Sequence, residues 1–182
     1  MKLLLIGYPG SQKIRKATEY LIKKYLPFDI TYLNYQGEIK DWSKAVSNLL
    51  KSIDDKYIIL ALDDYLLNAP INKAIFKRAL QALGTYQNVK LCDCTGEEQE
   101  QYPVTTQYTI WDREILIEIL GQTTTPWDFE MNGSRIFKEK GYKANKMPAL
   151  SYYTNSSLSK RWEGVRLDGL NEEDINKVQE LL

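Results

Sequence analysis

Four carboxylates in two short stretches are the side chains of this sequence best suited to chemistry. Asp63 and Asp64 close the run Tyr57 to Tyr65, YIILALDDY, while Asp128 and Glu130 lie within Trp127-Asp-Phe-Glu130. Neighbouring carboxylates at a strand end point in different directions, so one can hold a hard cation while the other orients a ligand hydroxyl. The plain alternative is an acidic turn, because Asp closes strands and caps loops well. In Trp127 to Glu130, a carboxylate at a helix start, partly shielded by Trp127 and Phe129, suits a general base. Equally, Asp128 can be a helix cap and Trp127 a core residue. A third group, Lys160, Arg161, Trp162 and Arg166, can pair with phosphates and stack on a ring, or form a solvated surface segment.

Composition narrows this chemistry. The 182 residues contain no histidine, which removes histidine bases, Ser/His/Asp triads, Cys/His dyads and histidine-ligated metals together. Any metal is then an oxygen-ligated cation such as Mg²⁺ or Mn²⁺. Lys plus Arg and Asp plus Glu number 24 each, so no global field draws the chain to nucleic acid or anionic membrane. Cys92 and Cys94, two apart on an expected strand, suit free thiols better than a bridge or zinc site. Met1 to Ile6 is too short for a signal core or a membrane span, so the expected location is cytoplasmic. On that footing Asn132-Gly-Ser134 and Asn155-Ser-Ser157 carry no weight as glycosylation acceptors. Gly7-Tyr-Pro-Gly10 has neither dinucleotide-loop nor P-loop spacing.

The elements that must position these groups follow from pattern. Lys2 to Gly7 and the apolar part of YIILALDDY read as buried parallel strands, and Asp29 to Asn34 as the strand between them in sequence. Helical apolar spacing covers Ile14 to Tyr25, and again Trp42 to Ile53 with Asp41 as cap. A helix from Pro70 to about Gly84 precedes a strand at Val89 to Cys94. Glu97 to Tyr102 is an acidic loop, and Val104 to Trp111 a strand ending at a helix capped by Asp112. A helix from Phe129 to Lys140 ends at a left-handed Gly141. Lys146 to Tyr153 is expected to be an edge strand, where Pro148 is tolerated, and Asn171 to cap a terminal helix. Strands alternating with helices imply an α/β sandwich with a mixed, mostly parallel sheet, and ligand crevices lie outside the carboxyl ends of such strands.

The order of features, and above all Lys56-Tyr-Ile-Ile-Leu-Ala-Leu-Asp-Asp-Tyr-Leu66, resembles the GT-A glycosyltransferases. Trp127-Asp-Phe-Glu-Met-Asn-Gly-Ser-Arg135 with Lys140-Gly-Tyr-Lys143 resembles the acidic helix start of the family 2 members, and Gln107 to Trp111 their strand toward the acceptor side. The small GT-A domains of large algal viruses and bacterial polysaccharide loci are also similar. The resemblance implies a GT-A-like (Rossmann-like) three-layer α/β/α fold as one domain over 1–182, with 1–70 as nucleotide-sugar half and 71–182 as acceptor half and tail. It implies transfer of a sugar from a nucleoside-diphosphate donor, expected to be a UDP-sugar, to a hydroxyl of a glycan acceptor, with inversion and with Mn²⁺ or Mg²⁺. Leu62-Asp63-Asp64 matches the family's DxD or xDD motif, so Asp64 and Asp63 are the expected metal residues, with Asp63 also on the donor. Gly7, Tyr8, Asn34, Tyr35, Lys160, Arg161 and Trp162 complete the expected donor site. Trp111 and Trp127 are expected on the acceptor side, and Glu130 or Asp128 is the expected base. The family's second-strand aspartate is absent, with Asn34, Tyr35 or Gln36 in its place. A nucleotidyltransferase making sugar nucleotides, and a catalytically silent binding module of the same fold, are the alternatives.

Overall fold

The computed structural model describes residues 1–7, 12–92, 102–154, 167 and 169–182. Strand β1 (Lys2–Gly7) leads through helix α1 (Gln12–Tyr25) to β2 (Ile30–Asn34). A 3₁₀ turn (Ile39–Asp41) opens α2 (Trp42–Leu50), which delivers the chain to β3 (Tyr57–Leu62). Then follow β4 (Tyr65–Leu67), α3 (Lys73–Ala82), β5 (Asn88–Cys92), β6 (Thr109–Asp112), α4 (Arg113–Leu120), α5 (Pro126–Glu139), β7 (Ala144–Leu150), β8 (Tyr152–Thr154) and α6 (Glu172–Leu181).

Among the described residues six strands form one sheet in the order β2-β1-β3-β6-β5-β7, and β4 pairs with β8 in a second, two-stranded sheet. β1 runs parallel to β2 and β3, and β5 parallel to β7, while β6 is antiparallel to both neighbours. The sheet is therefore mixed and mostly parallel. Alternation along the central strands builds two cores. Leu3, Leu5, Ile59 and Ala61 pack with α1, α3 and α6 on one face, while Leu4, Ile6, Ile58 and Leu60 pack with α2, α4 and α5 on the other. Both faces are covered, which explains why β1 and β3 are apolar throughout.

Side-chain caps set the helix starts. Asn72 accepts from the Ile75 N–H, Asp112 from those of Glu114 and Ile115, and Asn171 from that of Asp174. Gly141 adopts φ 70°, the left-handed end expected of it. Three expectations are corrected. Asp41 makes no side-chain cap bond, because the 3₁₀ turn already runs through it into α2. The strand expected from Val104 is regular only from Thr109, and the single edge strand expected at Lys146 to Tyr153 divides between the two sheets. Pro148 does sit at the sheet edge, in β7.

Candidate functional site

YIILALDDY does not run through as one strand. It breaks after Leu62, and Asp63-Asp64 form the turn that carries the chain from the large sheet into β4 of the small one. The two carboxylates thus stand at the C-terminal edge of β3, both buried. The Asp63 N–H donates to the Ile6 carbonyl at 3.0 Å, prolonging the pairing with β1 by one residue. Its carbonyl accepts the Thr18 hydroxyl of α1 at 2.6 Å, and its Oδ2 accepts the Tyr32 hydroxyl of β2 at 2.8 Å.

The Tyr32 ring carries the Arg15 guanidinium 3.5 Å above its centre, and Arg15 Nε donates to Glu19 at 2.8 Å. Burial and the adjacent Asp63 charge push the Tyr32 phenol well up. Gly7 lies beneath this pair: a Cβ built there would overlap the Tyr32 hydroxyl and stand 2.5 Å from Asp63 Oδ2. Glycine is needed here for close approach, not for its dihedral freedom.

Asp64 borders an aromatic cluster. Tyr152 packs against Tyr65 and Tyr108 with ring centres 5.0 and 5.6 Å apart, and the Tyr108 hydroxyl donates to the Tyr65 carbonyl at 2.9 Å. Burial first, and then the Asp64 charge, push both the Tyr65 and Tyr108 phenols up. The Tyr65 hydroxyl also meets Thr106 and lies within electrostatic reach of Glu130. The two acidic stretches therefore converge on Tyr65.

Glu130 is fixed from α5. Its Oε1 accepts from the Thr106 N–H and hydroxyl, each at 2.8 Å, and from the Thr105 hydroxyl at 3.1 Å, while Oε2 makes no hydrogen bond among the described residues. One turn later Ser134 Oγ accepts from the Val104 N–H at 3.1 Å, so two residues four apart dock one helix face on segment 104–106. Gly133 allows the approach, since a Cβ there would meet Ile119 at 3.0 Å and Val104 at 3.3 Å. The Thr106 carbonyl in turn accepts from the Leu62 N–H at 3.2 Å, which ties the Glu130 clamp to the end of β3.

Other expected site residues fare differently. Asp128 belongs to a helix cap: the Thr125 hydroxyl accepts its N–H at 3.0 Å, and its Oδ2 accepts from the Thr124 N–H at 2.8 Å and hydroxyl at 3.1 Å. Pro126 at the first helical position starts α5 three residues earlier than Phe129. Trp111 is no acceptor residue. It is 0% exposed and packs against Phe129 and Phe137, because register sets it opposite Ile58 on the face of the second core. Tyr35 likewise turns into that core beside Trp42, its hydroxyl donating to the Glu38 carbonyl, which removes its side chain from a donor site. Trp127 is 65% exposed, and Asn34 is exposed at the end of β2 with its Oδ1 accepting from Gln36 at 2.6 Å. Tyr8, Lys160, Arg161 and Trp162 lie outside the described residues. Cys92 is buried, its thiol donating to Gln107 Oε1 at 3.3 Å.

Sequence reasoning missed Arg15, Thr18, Tyr32, Thr105 and Thr106. Strand parity was a usable signal for Tyr32, which shares a strand side with Asn34, and the Thr105-Thr106 pair offers two hydroxyls just ahead of β6. For the expected divalent cation the chain provides a pair of buried carboxylates. Asp63 and Asp64 offer hard oxygens from adjacent residues, and Tyr32 already orients one of them. Among the described residues no cluster of three His, Cys, Asp or Glu forms, so the remaining ligands would come from substrate and water. No helix of the described residues is long and apolar enough to cross a membrane.

No family model and no curated protein matches the chain. Solved structures do. A197 from STIV superposes with TM-score 0.54 at 12% identity over 85% of each chain. A glycosyltransferase involved in the glycosylation of the major capsid of PBCV-1 gives 0.53 at 12% identity, over 81% of this chain and 82% of that one. Glucosyl-3-phosphoglycerate synthase from Mycobacterium tuberculosis, solved with Mn²⁺, UDP-glucose and glycerol 3-phosphate, gives 0.50 at 9% identity, over 85% and 73%. At such identities the likeness is one of fold, and the fold of this chain is GT-A-like.

Proposed function

We propose that this chain is a glycosyltransferase that moves a sugar from a nucleoside-diphosphate sugar, a UDP-sugar in the first instance, to a hydroxyl of a glycan acceptor with inversion. The observation that carries the reading is the half-clamped Glu130. Three donors hold Oε1 and leave Oε2 open, on a helix tied to the end of β3 where Asp63 and Asp64 stand. A base works best when rigid elements hold it within reach of one proton. Glu130 Oε2 accepts the proton of the acceptor hydroxyl as that oxygen attacks the sugar. Thr105 and Thr106 stop the carboxylate from turning away. Trp127, exposed one turn before Met131, offers a flat apolar face to a sugar ring.

On the donor side Asp64 and Asp63 would hold Mg²⁺ or Mn²⁺, which when bound neutralises charge developing on the departing diphosphate. Gly7 and the exposed Asn34 line the edge where β1 and β2 end, a place where open α/β sheets take nucleotides. The test is a thermal-shift screen of UDP-, GDP- and dTDP-sugars with Mn²⁺. A ligand at about 100 times its Kd stabilises by about 2.7 kcal/mol, worth roughly 5 to 11 °C at about 2 to 4 °C per kcal/mol. With the donor found, Glu130→Gln is expected to keep donor binding and to lower transfer by about 10²- to 10⁴-fold. Failure of UDP, GDP and dTDP alike to bind at millimolar concentration with Mn²⁺ overturns the reading.

A further inference from the structure

Asp63, the residue that follows the end of β3, is held from three elements: β1 supplies the carbonyl of Ile6 to its N–H and the clearance of Gly7, α1 supplies Thr18 to its carbonyl and Arg15 to the ring of Tyr32, and β2 supplies Tyr32 to its carboxylate. Two of these contacts bind backbone and need no carboxylate. The third does. The Tyr32 hydroxyl donates to Oδ2 and so fixes the rotation of the carboxylate about its own bond. Arg15, stacked on the same ring, brings a positive charge close to the buried anion without ion-pairing to it in place of Glu19.

We propose that Tyr32 is the positioning residue of the donor and cation site: its hydroxyl aims Asp63, and Arg15 fixes the ring that carries it. The inference rests on the glycosyltransferase reading, because it assumes that Asp63 and Asp64 meet a nucleotide-bound cation. Two details argue against a residue that merely satisfies a buried oxygen. A water or a backbone N–H would satisfy Oδ2 equally, yet the phenol reaches it from β2, two strands away, across Gly7 of the intervening β1, which admits no side chain. Also, the Arg15 guanidinium lies 3.5 Å over the centre of the phenol ring, which helps to hold the donor in place. Outer contacts of this kind orient ligating carboxylates, and losing one weakens metal affinity by about 10- to 100-fold.

Tyr32→Phe keeps the ring and the Arg15 contact and deletes only the hydroxyl. The measurement is Mn²⁺ binding in the presence of UDP, followed by electron paramagnetic resonance of the free ion, with UDP binding without metal followed by calorimetry. The expected result is a Kd for Mn²⁺ raised by about 10- to 100-fold, with metal-free UDP binding unchanged. A Tyr32→Phe protein with a lower melting temperature but the wild-type Kd for Mn²⁺ overturns the inference and leaves the proposed activity intact. Wild-type protein that binds none of UDP, GDP and dTDP in the presence of Mn²⁺ overturns both together. Should Tyr32→Phe fail to fold, Arg15→Met, at a partly exposed position, tests the same chain of contacts. It is expected to weaken Mn²⁺ binding severalfold, and an unchanged Kd counts against the inference.

Discussion

Asp174 is where stability and site geometry meet, and its removal is the sharpest test of how the molecule is held. The carboxylate is 0% exposed and accepts from Lys24 Nζ at 2.7 Å, from the Tyr20 hydroxyl at 2.8 Å, from Asn171 Nδ2 at 2.8 Å and from the Tyr25 hydroxyl. Through it α6 is clasped to α1, the helix that brings Arg15 and Thr18 to Asp63. Asp174→Ala leaves the buried Tyr25 hydroxyl without its acceptor and the Lys24 ammonium without its counter-ion. Removing one partner of a buried pair costs about 3 to 5 kcal/mol. Lys24 is 30% exposed and can turn to water, which points to the lower end, about 3 kcal/mol. At about 2 to 4 °C per kcal/mol for a chain of this size, the melting temperature should fall by roughly 6 to 12 °C. Calorimetry reads the fall, and hydrogen exchange should show amides of 172–181 losing protection before those of β1 and β3. A drop below about 2 °C, or uniform loss of protection through both, would refute the reasoning on which the estimate rests.

Acid should abolish the same clasp. Burial alone would raise the Asp174 carboxyl, but hydrogen bonds from Lys24, Tyr25 and Tyr20 outweigh it and hold the group below its ordinary value. Its contribution is therefore complete above the unfolded carboxylate value of about 3.9 and is lost as pH falls through the lower folded value. The stability gap between wild type and Asp174→Asn, measured by urea titration, should stay flat from about pH 7 to 5 and close below about pH 4; closure between pH 5 and 7 would contradict this sign. The two tryptophans of the acceptor expectation should separate cleanly. Trp111→Ala empties a core position and is expected to cost about 3 to 5 kcal/mol. Trp127→Ala should stay within about 0.5 kcal/mol and raise the acceptor KM, and equal stability losses for the two would refute the burial argument.

The sheet and its helices were legible because each element carries its own signal. β1 and β3 are apolar at both parities since helices cover both faces, and Asp112, Asn171 and Gly141 end their helices by local chemistry alone. What local chemistry leaves open is where a continuous apolar run divides. Asp63-Asp64 closes the β3 run, but nothing near it shows that Tyr65–Leu67 resumes as a strand of another sheet; that depends on β8, nearly 90 positions later, as its partner. Trp111 was misjudged for the same reason. The resemblance of Gln107 to Trp111 set it on the acceptor side, and only its register opposite Ile58 turns it inward.

The candidate site divides along the same line. Residue types placed the carboxylates, because without histidine few other groups could serve. Their division of labour came from contacts no spacing predicts. Asp128 and Glu130 are two residues apart on α5, which is more than half a helical turn, so they face different neighbours. Asp128 meets its own helix start and Glu130 meets Thr105 and Thr106. That assignment follows from Thr125 and Pro126 starting the helix early and from Gly133 letting it settle on Val104. A shift of two residues in the helix start would rotate α5 by about 200° and set Asp128 where Glu130 stands. The base candidate is thus chosen by a cap and a glycine, neither of which takes part in the chemistry.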